Sequence, residues 1–221
     1  MPPTPCVQRL IKAIYQNGVR DEAVLEAIAA VPREAFVPPL LKNFAWEDRP
    51  LPIGEGQTIS QPSVAAYMTE LLEVLPTHSV LEIGTGSGYQ AAVLALLGAH
   101  VYTVERRAAL LVEAQRRFAE LGLDRITARL GDGTQGWPEH APFDRIMVTA
   151  GAEGREPPPA LLSQLGVGGV LVIPLAGECW EQRLVRIRRS ETSFLREETW
   201  PVRFVPLVAD LPSGTRAPPG A

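Results

Sequence analysis

The chain has 221 residues, an apolar fraction of 46% and a formal net charge of −4 at pH 7. That length suits one large α/β domain, and the weak negative charge gives no reason to expect binding to nucleic acid or to an anionic membrane. The longest apolar stretch, residues 170–176, is too short to cross a bilayer, and the start, Met1-Pro-Pro-Thr-Pro5, does not resemble a secretory leader. We therefore expect a cytoplasmic protein, and we take a monomer as its default state.

Two short helices are predicted at the start of the chain. Apolar residues recur at helical spacing from Val7 to Tyr15, and Gly18 is placed to end that helix. Asp21 is a suitable N-cap for a second helix that continues to Ala30. We expect residues 1–45 to form a helical cover on the main domain.

The segment from Trp46 to Pro62 is rich in proline and glycine and has no sustained period, so it is predicted to be an ordered loop. Loops with this much restricted backbone are often functional, and this one is our candidate for a segment that closes over a substrate. A helix is predicted from Ser63 to Val74, with apolar residues along one face.

Strands and helices then alternate along the chain, which favours a doubly wound α/β fold with a mostly parallel sheet and helices on both faces. The predicted strands are Val80–Ile83, His100–Glu105, Ile126–Leu130, Phe143–Thr149 and Gly169–Ile173, and the predicted helices are Ala91–Leu97, Ala108–Leu121 and Ala160–Leu165.

The last third of the chain changes character. Arg183–Arg188 alternates apolar and polar residues, Phe194–Trp200 is suited to pair with it, and Val202–Val208 is predicted to be one more strand. We therefore expect an antiparallel edge on the parallel sheet. The single domain should span residues 1–212, and residues 213–221 should be a disordered tail.

A glycine-rich turn joins the first core strand to its helix. Gly84, Gly86 and Gly88 allow backbone N–H groups to approach a ligand closely at a helix N-terminus. A dinucleotide fingerprint, G-x-G-x-x-G, would need its third glycine at Tyr89. The observed pattern, E-x-G-x-G-x-G with Glu82 first, resembles motif I of the S-adenosylmethionine-dependent methyltransferases, whose fold is Rossmann-like.

Two acids follow at neighbouring strand ends. Glu105 ends the next strand about 20 residues later, where an acid accepts hydrogen bonds from ribose hydroxyls. Asp132, between Gly131 and Gly133, ends the third core strand and could accept from the exocyclic amine of adenine. A solvated acid and a turn aspartate remain alternatives. The convergence of three strand ends carries more weight than any one residue.

The residues at the end of the fourth core strand indicate which kind of atom would accept a methyl group. Thr149-Ala-Gly-Ala152 offers a hydroxyl and backbone amides. Methyltransferases that act on amines commonly carry an Asp/Asn-Pro-Pro-Tyr/Phe cluster there, so an acceptor oxygen is favoured weakly. Cys6 and Cys179 match no metal or redox spacing, and the three histidines lie in unrelated contexts. We expect no metal and no Ser-His-Asp arrangement.

The most distinctive stretch is Pro52-Ile-Gly-x-Gly-Gln-Thr-Ile-Ser-Gln-Pro62. With residues 80–89, Gly131-Asp-Gly133 and the closing residues 202–207, it closely resembles the protein-L-isoaspartate (D-aspartate) O-methyltransferase family. The resemblance runs from the N-terminal helices to about residue 208. From local sequence alone, helix capping before Pro62 would also explain the hydroxyls of this stretch.

The resemblance implies methyl transfer from S-adenosylmethionine to the free α-carboxylate of an isoaspartyl residue, and possible activity on D-aspartyl residues. The methyl ester then closes to a succinimide, whose hydrolysis partly restores normal aspartate. Partners would be damaged proteins and peptides that contain isoaspartate. The implied catalytic residue is Ser60, which would orient the carboxylate. The expected cofactor-binding residues are Gln57, Thr58, Ile59, Glu82, Gly84, Thr85, Gly86, Ser87, Glu105, Arg106, Asp132, Gly133 and Thr149.

The chain departs from some family members at two places. Animal members carry histidines near the position of Ser63-Val-Ala-Ala66, and some members have a threonine at the position of Val208. Three alternative functions are open to the sequence. A methyltransferase of the same fold could act on another carboxylate or a small molecule. A nicotinamide-dependent oxidoreductase is disfavoured by Tyr89 and Glu82. A non-enzymatic binding module would need a degraded loop at residues 57–62, which is intact.

Overall fold

The computed structural model describes residues 4–177 and 181–209. Cys179 and the predicted tail, residues 213–221, lie outside the described residues. No helix within the described ranges combines the length and the apolar character that a membrane span requires.

Six helices and nine strands make up the described part of the fold, together with short 3-10 turns. The helices are α1 (Pro5–Gln16), α2 (Glu22–Ala30), α3 (Pro62–Leu72), α4 (Tyr89–Leu96), α5 (Ala108–Glu120) and α6 (Pro159–Gln164). The strands are β1 (Leu51–Gly54), β2 (Gln57–Ile59), β3 (Ser79–Ile83), β4 (His100–Glu105), β5 (Ile126–Leu130), β6 (Phe143–Val148), β7 (Leu165–Ala176), β8 (Gln182–Arg189) and β9 (Phe194–Val202).

Seven strands form the main sheet in the order β5-β4-β3-β6-β7-β8-β9. The pairs from β5 to β7 are parallel, and β7, β8 and β9 pair antiparallel. The predicted mostly parallel sheet with an antiparallel C-terminal edge is confirmed. The chain moves outward from β3 through β4 to β5 and then returns to the other side of β3 with β6. In such sheets the ligand crevice lies outside the carboxyl ends of the strands at this reversal.

Strand β3 is buried on both faces of the sheet, as expected for a central parallel strand. Val80 belongs to the apolar cluster under α3, α4 and α5, whereas Leu81 and Ile83 belong to the cluster under α6. Helices on both faces therefore fix the strand ends from which the glycine-rich turn emerges.

The N-terminal helices lie where they were predicted. The Asp21 side chain accepts a hydrogen bond from the backbone N–H of Val24 at 3.2 Å and so caps α2. Ile14 of α1 and Ile28 of α2 are fully buried in a cluster that includes Tyr89 at the start of α4. This packing anchors the cover to the helix that follows the glycine-rich turn.

The secondary structure of two segments was predicted incorrectly. The predicted loop from Trp46 to Pro62 contains an antiparallel hairpin, β1–β2. Its turn is possible because Gly54, Glu55 and Gly56 all adopt positive φ angles of 96°, 53° and 69°.

The predicted strand Val202–Val208 is also incorrect, because only Val202 belongs to a strand, β9. Pro206, which has no N–H to donate, makes an isolated bridge with Gly151. The backbone N–H of Gly151 donates to Val205 O at 2.8 Å, and Leu207 N–H donates to Gly151 O at 2.7 Å. The segment therefore crosses the carboxyl end of the sheet instead of extending it.

Candidate functional site

The glycine-rich turn after β3 has a shape that side chains would prevent. Gly84 and Gly88 adopt φ angles of 97° and 90°. A Cβ added at Gly84 would lie 2.5 Å from Thr149 Oγ1, and one at Gly88 would lie 2.6 Å from the ring of Phe118. The turn is thus pressed between β6 and α5, with its backbone facing the crevice.

Glu105, at the end of β4, holds this turn from the side. Its Oε2 accepts a hydrogen bond from the N–H of Gly86 at 2.8 Å, and its Oε1 accepts one from the N–H of Arg107 at 2.9 Å. The residue is only 5% exposed. An ionised carboxylate has about four acceptor positions, so each oxygen retains capacity for a ligand hydroxyl.

Glu82 lies beneath the turn and lines none of the cavities described below. Thr103 Oγ1 donates to Glu82 Oε2 at 2.5 Å, and the hydroxyls of Thr85 and Thr103 lie 2.6 Å apart. Its other oxygen is buried without a hydrogen-bond partner. Burial raises the pKa of Glu82 to about 8; the Thr103 hydrogen bond opposes the shift, and the Glu105 charge adds to it. Glu82 therefore lies under the turn, and its expected contact with the cofactor remains a prediction.

Thr149, just after β6, holds the turn from the opposite side. Its hydroxyl donates to the carbonyl oxygens of Gly84 at 2.6 Å and Ile83 at 3.0 Å. Its N–H also donates to Ile83 O, at 2.9 Å. Because the hydroxyl proton is used in this way, Thr149 does not supply the donor for an acceptor oxygen that the sequence suggested.

Three adjoining cavities lie at this end of the sheet, and Thr58 and Thr149 line all three. The Glu105 cavity, of about 250 Å³, is also lined by Arg106, Gly133 and Leu207. The Arg203 cavity, of about 450 Å³, is lined by Ser60, Gln61, Val64, Arg203 and Phe204 among others. The small Ser87 cavity, of about 40 Å³, lies between them and is lined by Ser60, Gly84, Thr85, Ser87 and Gln90 among others.

Most of the predicted site residues line at least one of these cavities. They are Gln57, Thr58, Ile59, Ser60, Gly84, Thr85, Gly86, Ser87, Glu105, Arg106, Gly133 and Thr149. Asp132 is placed differently from that set. Its Oδ1 accepts from the N–H and the hydroxyl of Thr134 at 2.8 and 2.7 Å, which caps the 3-10 turn Gly133–Gln135. The predicted contact between Asp132 and adenine remains a prediction.

Arg33 supports Ser60 and was missed by sequence analysis. Its guanidinium is fully buried and donates to Ser60 O at 2.6 Å and to Ala45 O at 2.9 Å. It also lies over the ring of Tyr89, 4.6 Å from the centroid. Desolvation by burial lowers the pKa of Arg33. The signal in the sequence was an arginine between Pro32 and Pro38, in a short stretch that also contains the apolar residues Ala35, Phe36 and Val37.

Asp48 is a second residue that sequence analysis missed. Its carboxylate accepts from the N–H and the hydroxyl of Ser63 at 2.8 and 2.6 Å, and from Gln61 Nε2 at 3.2 Å. The N-cap of α3, Gln61, makes no capping bond with its own side chain. Asp48 therefore caps the N-terminus of α3 from outside the helix. It also holds Gln61 and Ser63, which follow Ser60 in the chain.

The C-terminal segment closes the opposite wall. The side chain of Gln182 donates to Phe204 O at 3.1 Å and accepts from Phe204 N–H at 2.6 Å. Val205, Pro206 and Leu207 line the Glu105 cavity. The residues that were wrongly predicted as a strand thus form a wall shared by two of the cavities.

The geometry can be compared with known proteins. The family model described as Protein-L-isoaspartate(D-aspartate) O-methyltransferase matches residues 6–211. A protein-L-isoaspartate O-methyltransferase of Rhodospirillum centenum is 58% identical over 210 residues, which are 95% of this chain and 95% of that protein. The enzyme of the same name from Paracoccus denitrificans is 54% identical over 203 residues, 92% of this chain and 93% of that protein.

Solved structures show the same architecture. A protein-L-isoaspartate O-methyltransferase structure superimposes with a TM-score of 0.83 and 29% identity, over 93% of this chain and 67% of that one. A Plasmodium falciparum protein assigned to this enzyme class, solved in complex with S-adenosyl-L-homocysteine, has a TM-score of 0.79. It is 24% identical, and the match covers 92% of this chain and 98% of that one.

Proposed function

This chain belongs to the protein-L-isoaspartate(D-aspartate) O-methyltransferase family, and we propose that its acceptor is the free α-carboxylate of L-isoaspartyl residues in damaged proteins. The observation that carries the proposal is the arrangement of three adjoining cavities around Thr58 and Thr149, with Ser60 between two of them. Donor and acceptor sites can meet there without any movement of the sheet.

The Glu105 and Ser87 cavities fit S-adenosylmethionine, on which the enzyme depends. Within the described residues, the Glu105 cavity combines apolar walls from Ile83, Val104 and Leu207 with one carboxylate, beside which Arg106 and Arg107 also line the cavity. This combination suits the faces of an adenine ring and the hydroxyls of a ribose. The Ser87 cavity, at the turn before α4, is lined by hydroxyls and the backbone of Gly84 and Gly86, which suits the polar methionine end.

The Arg203 cavity is the acceptor site in this proposal. Ser60 lines it, and within the described residues the Ser60 hydroxyl has no hydrogen-bond partner. Thr149 uses its own proton elsewhere, so the hydroxyls that remain available to a carboxylate in this cavity are those of Thr58 and Ser60. Of the two, Ser60 is the one that the family resemblance implies, and Arg33 holds its backbone in place.

The chemistry places few demands on the protein. When bound, S-adenosylmethionine supplies an electrophilic methyl group on a positively charged sulfur. A carboxylate is already ionised at pH 7, so no general base is needed, and none of the described residues that line the Arg203 cavity is Asp, Glu or His. The protein's task is to hold the carboxylate oxygen in line with the methyl group, at about 3 Å, and to exclude water. The ester product closes to a succinimide, which begins the repair.

Several further features belong to the same proposal. We propose a monomer whose single catalytic domain spans residues 1–212, active in the cytoplasm without nucleic acid. The net charge of −4 and the sequence match over residues 6–211 support it. The proposal includes some activity on D-aspartyl residues. Size-exclusion chromatography with light scattering tests whether the protein is a monomer.

The decisive experiment is a methylation assay with two isomeric peptides. The enzyme should transfer labelled methyl groups to an isoaspartyl peptide and not to the same sequence with normal aspartate. Binding of S-adenosylhomocysteine without methylation of the isoaspartyl peptide would overturn the proposed acceptor and favour an enzyme of this fold that acts on another carboxylate or a small molecule.

A further inference from the structure

Among the described residues, Arg203 is the only charged residue that lines the Arg203 cavity. The remaining walls come from neutral polar residues, such as Thr58 and Ser60, and from apolar residues, such as Val64 and Phe204. By contrast Arg188, at the opposite end of β8, forms an ion pair with Glu73. Among residues 4–177 and 181–209, the Arg203 side chain makes no hydrogen bond and no ion pair.

The backbone that carries Arg203 is held on both sides. Val202 is the last residue of β9 and pairs with Gln182 of β8. Phe204 makes two backbone hydrogen bonds with the Gln182 side chain. The Arg203 backbone is thus held at a fixed position in the cavity wall, and the residue is exposed.

An anion that enters this cavity needs compensation for the water it loses. The Thr149 proton is used by the carbonyls of Ile83 and Gly84, so the neutral hydroxyl donors left in this cavity are those of Thr58 and Ser60. A guanidinium offers parallel N–H groups that match a carboxylate, and charged pairs of this kind are stronger than neutral hydrogen bonds.

We propose that Arg203 recognises the acceptor carboxylate through its charge and makes the cavity select an acid over a neutral group. This inference rests on the proposed function. It has a consequence for turnover, because methyl transfer converts the carboxylate to a neutral ester and thereby removes the partner of Arg203. The same residue would therefore strengthen substrate binding and weaken product binding.

The test measures binding, without turnover, in the presence of saturating S-adenosylhomocysteine. Isothermal titration compares an isoaspartyl peptide with the same peptide whose α-carboxylate is replaced by a carboxamide. The wild-type protein should prefer the acid, and R203Q should reduce the ratio of acid affinity to amide affinity about tenfold. R203K should keep part of the preference, and 0.5 M NaCl should reduce it in the wild type. The matched control is R9Q, which removes one positive charge from an exposed position of α1. It should show the same ratio of acid affinity to amide affinity as the wild type.

The possible failures can be told apart. A wild-type acid preference that persists in R203Q would overturn the role of Arg203 and leave the proposed function intact. If the wild-type protein bound neither peptide and methylated no isoaspartyl substrate, the proposed function would fail and the inference with it. Unchanged affinity of every variant for S-adenosylhomocysteine shows that the fold and the cofactor cavities are preserved.

Discussion

Replacing Glu82 with glutamine should flatten the pH dependence of folding stability. Burial raises the pKa of Glu82 from its ordinary 4.5 to about 8. The folded protein therefore retains a proton that the unfolded chain releases above pH 4.5. The contribution of Glu82 to stability is greatest below pH 4.5, falls as the pH rises, and levels off above pH 8, once the folded state ionises as well.

The magnitude follows from the size of that shift. Each pKa unit corresponds to about 1.4 kcal/mol, so between pH 5 and pH 8 this one group should remove roughly 3 to 4 kcal/mol from the free energy of unfolding. In E82Q the amide oxygen can still accept from Thr103, but no ionisation is possible. Any cost of placing the amide N–H₂ group where Oε1 had no partner is independent of pH.

Urea unfolding at pH 5, 6, 7 and 8, followed by circular dichroism, measures this difference. The free energy of E82Q minus that of the wild type should rise by roughly 3 to 4 kcal/mol across the series. E26Q, at an exposed position of α2, should give a profile parallel to the wild type. Parallel profiles for wild type and E82Q would refute the buried, protonated state of Glu82.

Three further substitutions test the site. S60A should lower kcat at least about tenfold and leave the Kd for S-adenosylhomocysteine within about twofold of wild type, because the substitution removes a hydrogen bond to the substrate carboxylate only. Unaltered turnover in the peptide assay would remove Ser60 from the mechanism. E105A should raise the Kd for S-adenosylhomocysteine, measured by isothermal titration, at least about tenfold, because the ribose hydroxyls and the N–H of Gly86 lose the carboxylate that accepts their hydrogen bonds. An unchanged Kd would exclude the ribose contact. R33M should lower kcat by a larger factor than it raises the Kd for S-adenosylhomocysteine, because the Ser60 backbone loses the hydrogen bond that holds it. A kcat equal to that of the wild type would show that Arg33 does not position Ser60, whatever effect the substitution has on thermal stability.

The parallel core could be predicted from sequence because its signals are local. The bounds of His100–Glu105 and Ile126–Leu130 were predicted to the residue. Strands buried on both faces give short apolar runs, and turn residues mark their ends. The hairpin β1–β2 has strands of only four and three residues, with Pro52 inside the first. Nothing local distinguishes so short a hairpin from a loop, and it forms because Leu51 and Ile59 are buried against the helical cover.

The candidate site divides in the same way. The glycine-rich turn and Glu105 are specified by their own backbone requirements and by their place at strand ends, so a single sequence reveals them. Arg33 and Asp48 act on backbone groups 27 and 15 residues away, at Ser60 and Ser63. Which carbonyl or N–H group such a side chain reaches depends on tertiary packing, so no spacing rule identifies it. The motif acid Glu82 was recognised, but its depth beneath the turn depends on the same packing.

Donor and acceptor are held by different kinds of structure. The turn, Glu105 and Thr149 lie at the ends of β3, β4 and β6, and their hydrogen bonds connect one strand end with the next. The proposed acceptor cavity is instead lined mainly by two segments outside the parallel strands, residues 58–61 and 201–205. Each is tied down by side chains from elsewhere, Arg33 and Asp48 for the first and Gln182 for the second. A change of acceptor could therefore arise in these two segments while the sheet continues to hold the same cofactor, because function resides in sites added to a fold.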